Sequence, residues 1–284
     1  MNNIIQMKSI TKTLNDRTFT DYYYRLMLLA LSVFEWNGLP NGIDERWIEK
    51  YLFLEGQCMF YKNDLLGFMV VKCVGEGLNE YDEPTYLRPV ATNLMDSNTY
   101  KNGVECVMIK NNDISYPTCA TTEMYALKLA EISRAIDINI NAQKTPILIK
   151  CSNKQLLTLK NVYRQWDGNE PVIFADKSLD IDNLDILNTS APVVFDRLQL
   201  QKHQTLNEYL TFLGINNANM DKKERLVASE VDANNDHVES SLNAMLKSRE
   251  LACKRINELF GTNISVKVKT SLKANIEGLE EGEE

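Results

Sequence analysis

The chain has 284 residues, 44% of them hydrophobic and 25% charged, with a net charge of −8 at pH 7. That length and balance suit a folded protein of two or three subdomains with a sizeable core. The negative balance excludes a protein that coats nucleic acid along its length, because such binding is built from many Lys and Arg contacts to phosphate; any such contact must be local.

The longest apolar run, Tyr22 to Trp36, is short for a membrane span and is interrupted by Arg25 and Glu35. The opening residues lack the apolar core and small-residue cleavage site of a signal peptide. Six cysteines, Cys58, Cys73, Cys106, Cys119, Cys151 and Cys253, lie far apart with no CxxC pair and only two histidines beside them. Reduced thiols are therefore expected, and a structural zinc site is not.

Residues 1–17 read as a mobile arm carrying Lys8, Lys12 and Arg17. From a cap at Thr20 or Asp21, the segment DYYYRLMLLALSVFEW predicts a helix so apolar around its circumference that it must pack on two sides. GLPNGID stops it, giving a helical region over 18–46. Residues 47–115 predict a β-rich module, because CMFYKN, LLGFMVVKCV, TYLRPVAT and VECVMIKNN are short apolar or alternating runs separated by turn residues. A small barrel or a curled antiparallel sheet is the natural package. Within 116–144, Tyr125, Leu129, Ile132, Ile136 and Ile140 recur every three or four residues and predict a second long helix. Residues 145–188 read as a compact α/β insert, with PILIK and PVIFA as strands around a short helix.

A third long helix is expected within 189–214, with Pro192 in its opening turn, Asp196 near its positive end and Gly214 as its stop. The stretch 215–237 is polar, carries Lys222, Lys223 and Arg225, and is long against the roughly two to eight residues that usually join helices. Over 238–270, a helix starting near Glu239 carries Leu242, Met245, Leu246, Cys253, Ile256, Leu259 and Phe260 on its apolar side, and Ile264, Val266 and Val268 alternate as a final strand. Residues 271–284 read as an acidic disordered tail. The class is mixed α+β.

Chemical motifs are sparse. There is no GxxxxGK[ST] phosphate loop and no GxGxxG, so neither route to a bound nucleotide is open and no cofactor is expected. His203 and His237 have no nucleophile as a local neighbour. Asp176, Asp180, Asp182 and Asp185 have the oxygen donors that Mg²⁺ prefers, so a metal-dependent nuclease is one alternative; turn formation and solvation account for the same residues. Trp36, Trp47 and Trp166 sit among apolar neighbours and read as core or subunit contacts. Lys222, Lys223 and Arg225 lie in DKKER, which is nearly neutral, so by composition alone this is solvated surface.

Six blocks in one order carry more information: FEWNGLP, NNDISYPTC, NINAQKTPILIK, NEPVIFADKSLD, TFLGINNANMDKKERLVASEV, and ESS with LKSRELACKRINELFG. Together, from about Asp21 to Lys269, the chain resembles the head–tail connectors of small podoviruses with protein-primed replication, also called upper collar or portal proteins. The resemblance implies a portal fold assembled as a dodecameric ring, with a long-helix stem, a β-rich wing and a small α/β clip. The stem would take 116–144, 189–214 and part of 18–46; the wing 47–115 and 238–270; the clip 145–188; and 215–237 would be a channel loop. It also implies a non-enzymatic role at the portal vertex of a virion assembled in the host cytoplasm. The implied partners are double-stranded DNA, a packaging ATPase, the major capsid and scaffolding proteins, and the lower collar and tail proteins. Another adaptor ring of the same particle is an alternative.

By the same resemblance Lys222 and Lys223, with Arg225, face the channel, and Arg197 holds a basic position of the stem. Two lysines in about twelve copies make a ring of roughly two dozen positive charges around a polyanion. Two departures stand out. A second stem lysine of the family's best-known member falls on Asn188, and that member's densely basic arm, tied to prohead binding and a packaging RNA, is matched here by only Lys8, Lys12 and Arg17. The use of a packaging RNA is left open.

Overall fold

The computed structural model describes residues 2–91, 93, 96–143, 192–216 and 228–269. The insert expected over 145–188, with Cys151, Trp166, Asn188 and the four aspartates of the nuclease alternative, lies outside the described residues, as does the tail. The chain divides into two compact units, Met1–Ile132 with Gln201–Glu284, and Ser133–Leu200. Helices α1 (Asn2–Leu31), α2 (Glu45–Glu55), α3 (Thr118–Gln143), α4 (Phe195–Phe212) and α5 (Ala228–Phe260) accompany strands β1 (Phe34–Asn37), β2 (Gln57–Asn63), β3 (Gly67–Leu78), β4 (Pro84–Val90), β5 (Tyr100–Lys101), β6 (Cys106–Lys110) and β7 (Ser265–Val268).

Strands β2 to β6 form one antiparallel sheet in the order β5-β4-β3-β2-β6, the module expected from the alternating runs. On one face, Met59, Tyr61, Val71, Leu87, Cys106 and Met108 make a small cluster. Beside it the Asp96 carboxylate accepts from the hydroxyls of Tyr61 and Tyr100 and the amide of Asn63, at 3.2, 2.8 and 3.1 Å. On the other face Phe60, Val107 and Ile109 join the main core with Leu52 of α2, Leu129 of α3, Tyr209 of α4 and Ile256 of α5. The Tyr209 hydroxyl donates to the Leu26 carbonyl at 3.0 Å and lies 2.9 Å from the hydroxyl of Thr122, so one buried phenol ties α4 to α1 and α3.

Several helix boundaries differ from the sequence expectation, among them the start of α4 at Phe195, which leaves Pro192 three residues ahead of the helix rather than in its opening turn. Helix α1 begins at Asn2 and takes in the segment expected as an arm. It ends at Leu31, and FEWN is a strand: Phe34 and Trp36 are buried, and β1 pairs antiparallel with β7, Phe34 opposite Val268 and Trp36 opposite Val266. A helix would turn one of these rings out of the core; a period of two buries both and leaves Glu35 to meet Lys267 at 3.6 Å. Gly38 closes the strand at φ +71, where a Cβ would lie 2.1 Å from the Asn263 carbonyl oxygen.

Helix α2 stands where a β-rich run was expected to begin. The Asp44 carboxylate caps it by accepting from the Arg46 N–H at 2.9 Å, and Ile48, Glu49 and Leu52 form its buried face. Gly56 ends it in the left-handed region with its N–H donating to the Leu52 carbonyl, and a Cβ there would lie 1.9 Å from the Ser115 carbonyl oxygen. Helix α5 starts at Ala228, eleven residues before the start expected near Glu239. Its opening is rich in Asn and Asp, which are poor formers, but adding turns to an anchored helix costs far less than nucleating one.

At the centre of the core sits a buried ion pair. The Arg249 Nε and Nη2 donate to the two oxygens of Glu49 at 3.0 and 2.8 Å, and both side chains are at least 96% buried. Its remaining N–H groups donate to the carbonyls of Asn111 and Met245 and to the Asn111 side chain, each at 3.0 Å. All five guanidinium donors are thus used. The Phe34 ring lies 4.2 Å from the guanidinium carbon, and the Trp36 indole donates to Glu49 at 2.8 Å. Asn111 in turn donates from its side chain to the Tyr116 carbonyl and the Thr118 hydroxyl.

Removing one partner of a buried pair strands the other charge. Arg249→Leu is expected to lower unfolding stability by about 3–5 kcal/mol in chemical denaturation. Lys267→Leu, which breaks the exposed Glu35–Lys267 pair, is expected to cost no more than about 1 kcal/mol. Equal costs for the two substitutions would contradict this assignment of the core.

Candidate nucleic-acid interface

Helix α4 is fixed near both ends. In the smaller unit, the Asn139 side chain of α3 donates to the Pro192 carbonyl at 2.9 Å and accepts from the Val194 N–H at 3.2 Å, which holds the approach to the first turn of α4. In the larger unit the helix closes with Gly214 at φ +74, its N–H donating to the Thr211 carbonyl, and the Ile215 N–H donates to the Leu210 carbonyl at 2.9 Å. Leu213 and Ile215 are buried, so the backbone is anchored immediately before residue 217.

Residues 217–227, which include Lys222, Lys223 and Arg225, lie outside the described residues. Their borders are described. The connection leaves the buried Leu213–Ile215 anchor and rejoins the protein at Ala228, the first residue of α5. The polar excursion of 215–237 is therefore shorter than it reads in sequence, because its second half is helix.

Arg197 is exposed in the first turn of α4, between Asp196 and the half-buried Leu198. Lys202, on the next turns, is turned back onto the protein, its amine 5.5 Å from the centre of the Tyr22 ring. Arg17 is exposed on α1, and Lys8 and Lys12 belong to the first turns of the same helix.

The described cysteines are not activated as nucleophiles. The five described cysteines are free thiols, and burial pushes those of Cys73, Cys106 and Cys253 up to about 12, so they stay protonated near neutral pH. Among the described residues no group of three or more His, Cys, Asp or Glu side chains is placed to hold a metal ion, and no helix is long and apolar enough to cross a membrane.

Sequence reasoning overlooked Arg249, whose segment KSRELACKR resembles a surface helix. One signal was available: Met245, Arg249, Ala252 and Ile256 fall at spacings of four, three and four, which puts the arginine in the apolar stripe.

The fold is that of a chain in the portal and tail of native bacteriophage P68, with 17% identity over 93% of this chain and 90% of that one and a TM-score of 0.50. A HK97 family phage portal protein from Corynebacterium diphtheriae matches at 10% identity over 89% of this chain and 93% of that one, TM-score 0.44. A chain from the neck of an empty GTA particle matches at 10% identity over 87% and 80%, TM-score 0.42. The sequence matches the family profile described as Phage Connector (GP10) over residues 2–273. That match spans nearly the whole chain, both units included, and the chain belongs to the Phage Connector (GP10) family of phage portal, or head–tail connector, proteins.

Proposed function

We propose that about twelve copies of this connector close into a ring that conducts double-stranded DNA during packaging, retains it, and releases it at ejection. The observation that carries the ring is the apolar surface that one copy leaves uncovered on its helices. On α1, Tyr24 and Leu28 are 58% and 68% exposed one turn apart, and on α3, Met124 and Leu127 are 45% and 53% exposed three residues apart. Helix α1 packs its other side on the core through Leu26, so it needs cover on two sides, and a head-to-tail ring supplies cover of that kind by burying two different faces of every subunit.

The role is structural. A separate ATPase drives the DNA, the capsid and scaffolding proteins hold the wide end at the vertex, and the lower collar and tail are built on the narrow end. Assembly takes place in the host cytoplasm before the particle fills. Lys222, Lys223 and Arg225 contact phosphates in the channel, with Arg197 as a further basic position on α4. A chain of net charge −8 keeps most of the bore repulsive, which lets the duplex slide, while one local ring of cations grips it. Lys8, Lys12 and Arg17 are the corresponding, weaker contacts at the N-terminal end, with or without a packaging RNA.

Native mass measurement of the purified protein should find a species of about twelve subunits; a stable monomer at micromolar concentration rules the ring out. Lys222→Ala combined with Lys223→Ala should leave the ring mass unchanged and yield particles that fill and then lose DNA. Particles of the double variant that retain full-length genome normally would refute the gripping role.

A further inference from the structure

The hairpin of β3 and β4 outruns the sheet that carries it. Strand β2 pairs with β3 only as far as Val71, whereas β3 and β4 stay paired from Lys72–Val90 to Leu78–Pro84. Beyond Val71 the β3 edge is no longer paired with β2 and the β4 edge meets only the short β5, at Tyr86 and Leu87, and every residue from Val74 to Leu78 is exposed. Cross-strand partners share a face, so Val74, Leu78, Tyr86 and Val90 line one side, around an ion pair of Glu76 with Arg88 at 3.0 Å. The opposite side has Gly75 and Gly77, where a Cβ would lie 2.7 Å from the Pro84 and Thr85 side chains.

The tip of this ribbon is closed by its own hydrogen bonds. The Asn79 side-chain oxygen accepts from the N–H groups of Tyr81 and Glu83 at 2.9 and 3.0 Å, and the Asn79 N–H donates to the Glu83 carbonyl at 2.9 Å. This locked turn holds out Tyr81, 84% exposed, beside Leu78, 67% exposed. Residues 76–86 include Glu76, Glu80, Asp82 and Glu83 and no Lys or Arg. Arg88 neutralises Glu76 and Lys110 neutralises Glu83, which leaves Glu80 and Asp82 as excess negative charge at the tip.

The opposite chemistry is on the outer side of α5. Lys247, Leu251, Lys254 and Arg255 are exposed along one stripe, with Leu251 47% exposed, while Arg249, Ala252, Cys253 and Ile256 face the core. None of the three cations has an ion-pair partner among the described residues. Glu250 and Glu258 are exposed on the same side, four residues before and after Lys254, so three cations against two carboxylates leave the stripe with an excess of one positive charge.

We infer that the acidic, aromatic tip of the β3–β4 ribbon in one copy docks on the basic, apolar α5 stripe of the next. The two surfaces match in sign and in apolar content, and both are exposed on the same chain, so neither satisfies the other within one copy. Each copy then offers its ribbon to one neighbour and its stripe to the other, which is the arrangement a closed ring requires. The inference rests on the ring reading above and names one of its contacts.

Native mass measured over a concentration series, on full-length protein whose circular dichroism matches wild type, tests this contact. Glu80→Lys with Asp82→Lys, or Lys254→Glu with Arg255→Glu, should each raise the concentration of half-assembly by about tenfold, and the fourfold charge swap should bring it back to within about twofold of wild type. As a second arm, Leu78→Cys with Leu251→Cys should give a ladder of covalent oligomers on mild oxidation that neither single variant gives. Rings indifferent to charge reversal, a fourfold variant as defective as the twofold ones, or no ladder overturns this contact while leaving the ring standing. A wild-type monomer overturns both.

Discussion

The architecture of the larger unit depends on one satisfied charge, Arg249. Desolvating a guanidinium and a carboxylate is costly, and their attraction repays that cost only when geometry and further hydrogen bonds are in place. Here all five donors are met by groups from three places in the chain: Glu49 of α2, the backbone and side chain of Asn111, and the Met245 carbonyl one turn back in α5, with Phe34 and Trp36 of β1 packed around them. A slip of α5 by one turn would carry the guanidinium away from Glu49 and Asn111. The pair therefore acts on specificity as much as on stability: it sets the register of the longest helix against α2, and with it the direction in which Lys247, Leu251, Lys254 and Arg255 face.

Much of this fold is legible in the sequence, and the limits have physical causes. The sheet strands, α3, α4 and β7 are strongly periodic, and their local pattern and their environment agree. FEWN was expected to continue a helix because local propensity cannot see β7, which closes the β1 ladder from the far end of the chain. Helix α2 is short, and its LFL run suits a strand as well as a buried helix. The early start of α5 is paid for by the anchored half of the helix rather than by its Asn-rich opening. Arg249 could have been found from its place in an apolar stripe, but its partners Glu49 and Asn111 lie 200 and 138 residues away.

The candidate site was legible in another way. Within one chain DKKER is nearly neutral, and no local property of Lys222 or Lys223 marks them out. Six collinear blocks, not charge, single these residues out, and the proposed ring would give them weight: a weak pair repeated around an axis becomes a concentrated field on a polyanion. In the proposed ring the same multiplication would apply to the exposed faces of α1, α3, the ribbon and α5, because every copy would make each contact twice. An acidic chain and a DNA-handling role are compatible on these terms.

The claim on which the rest hangs is that these surfaces close around an open channel. Electron microscopy of purified, full-length protein viewed down the particle axis tests it most directly. Closed rings with about twelvefold symmetry and a central opening of at least roughly 20 Å, the width of a B-form duplex, are expected. Open filaments, or closed particles without a central opening, would contradict it.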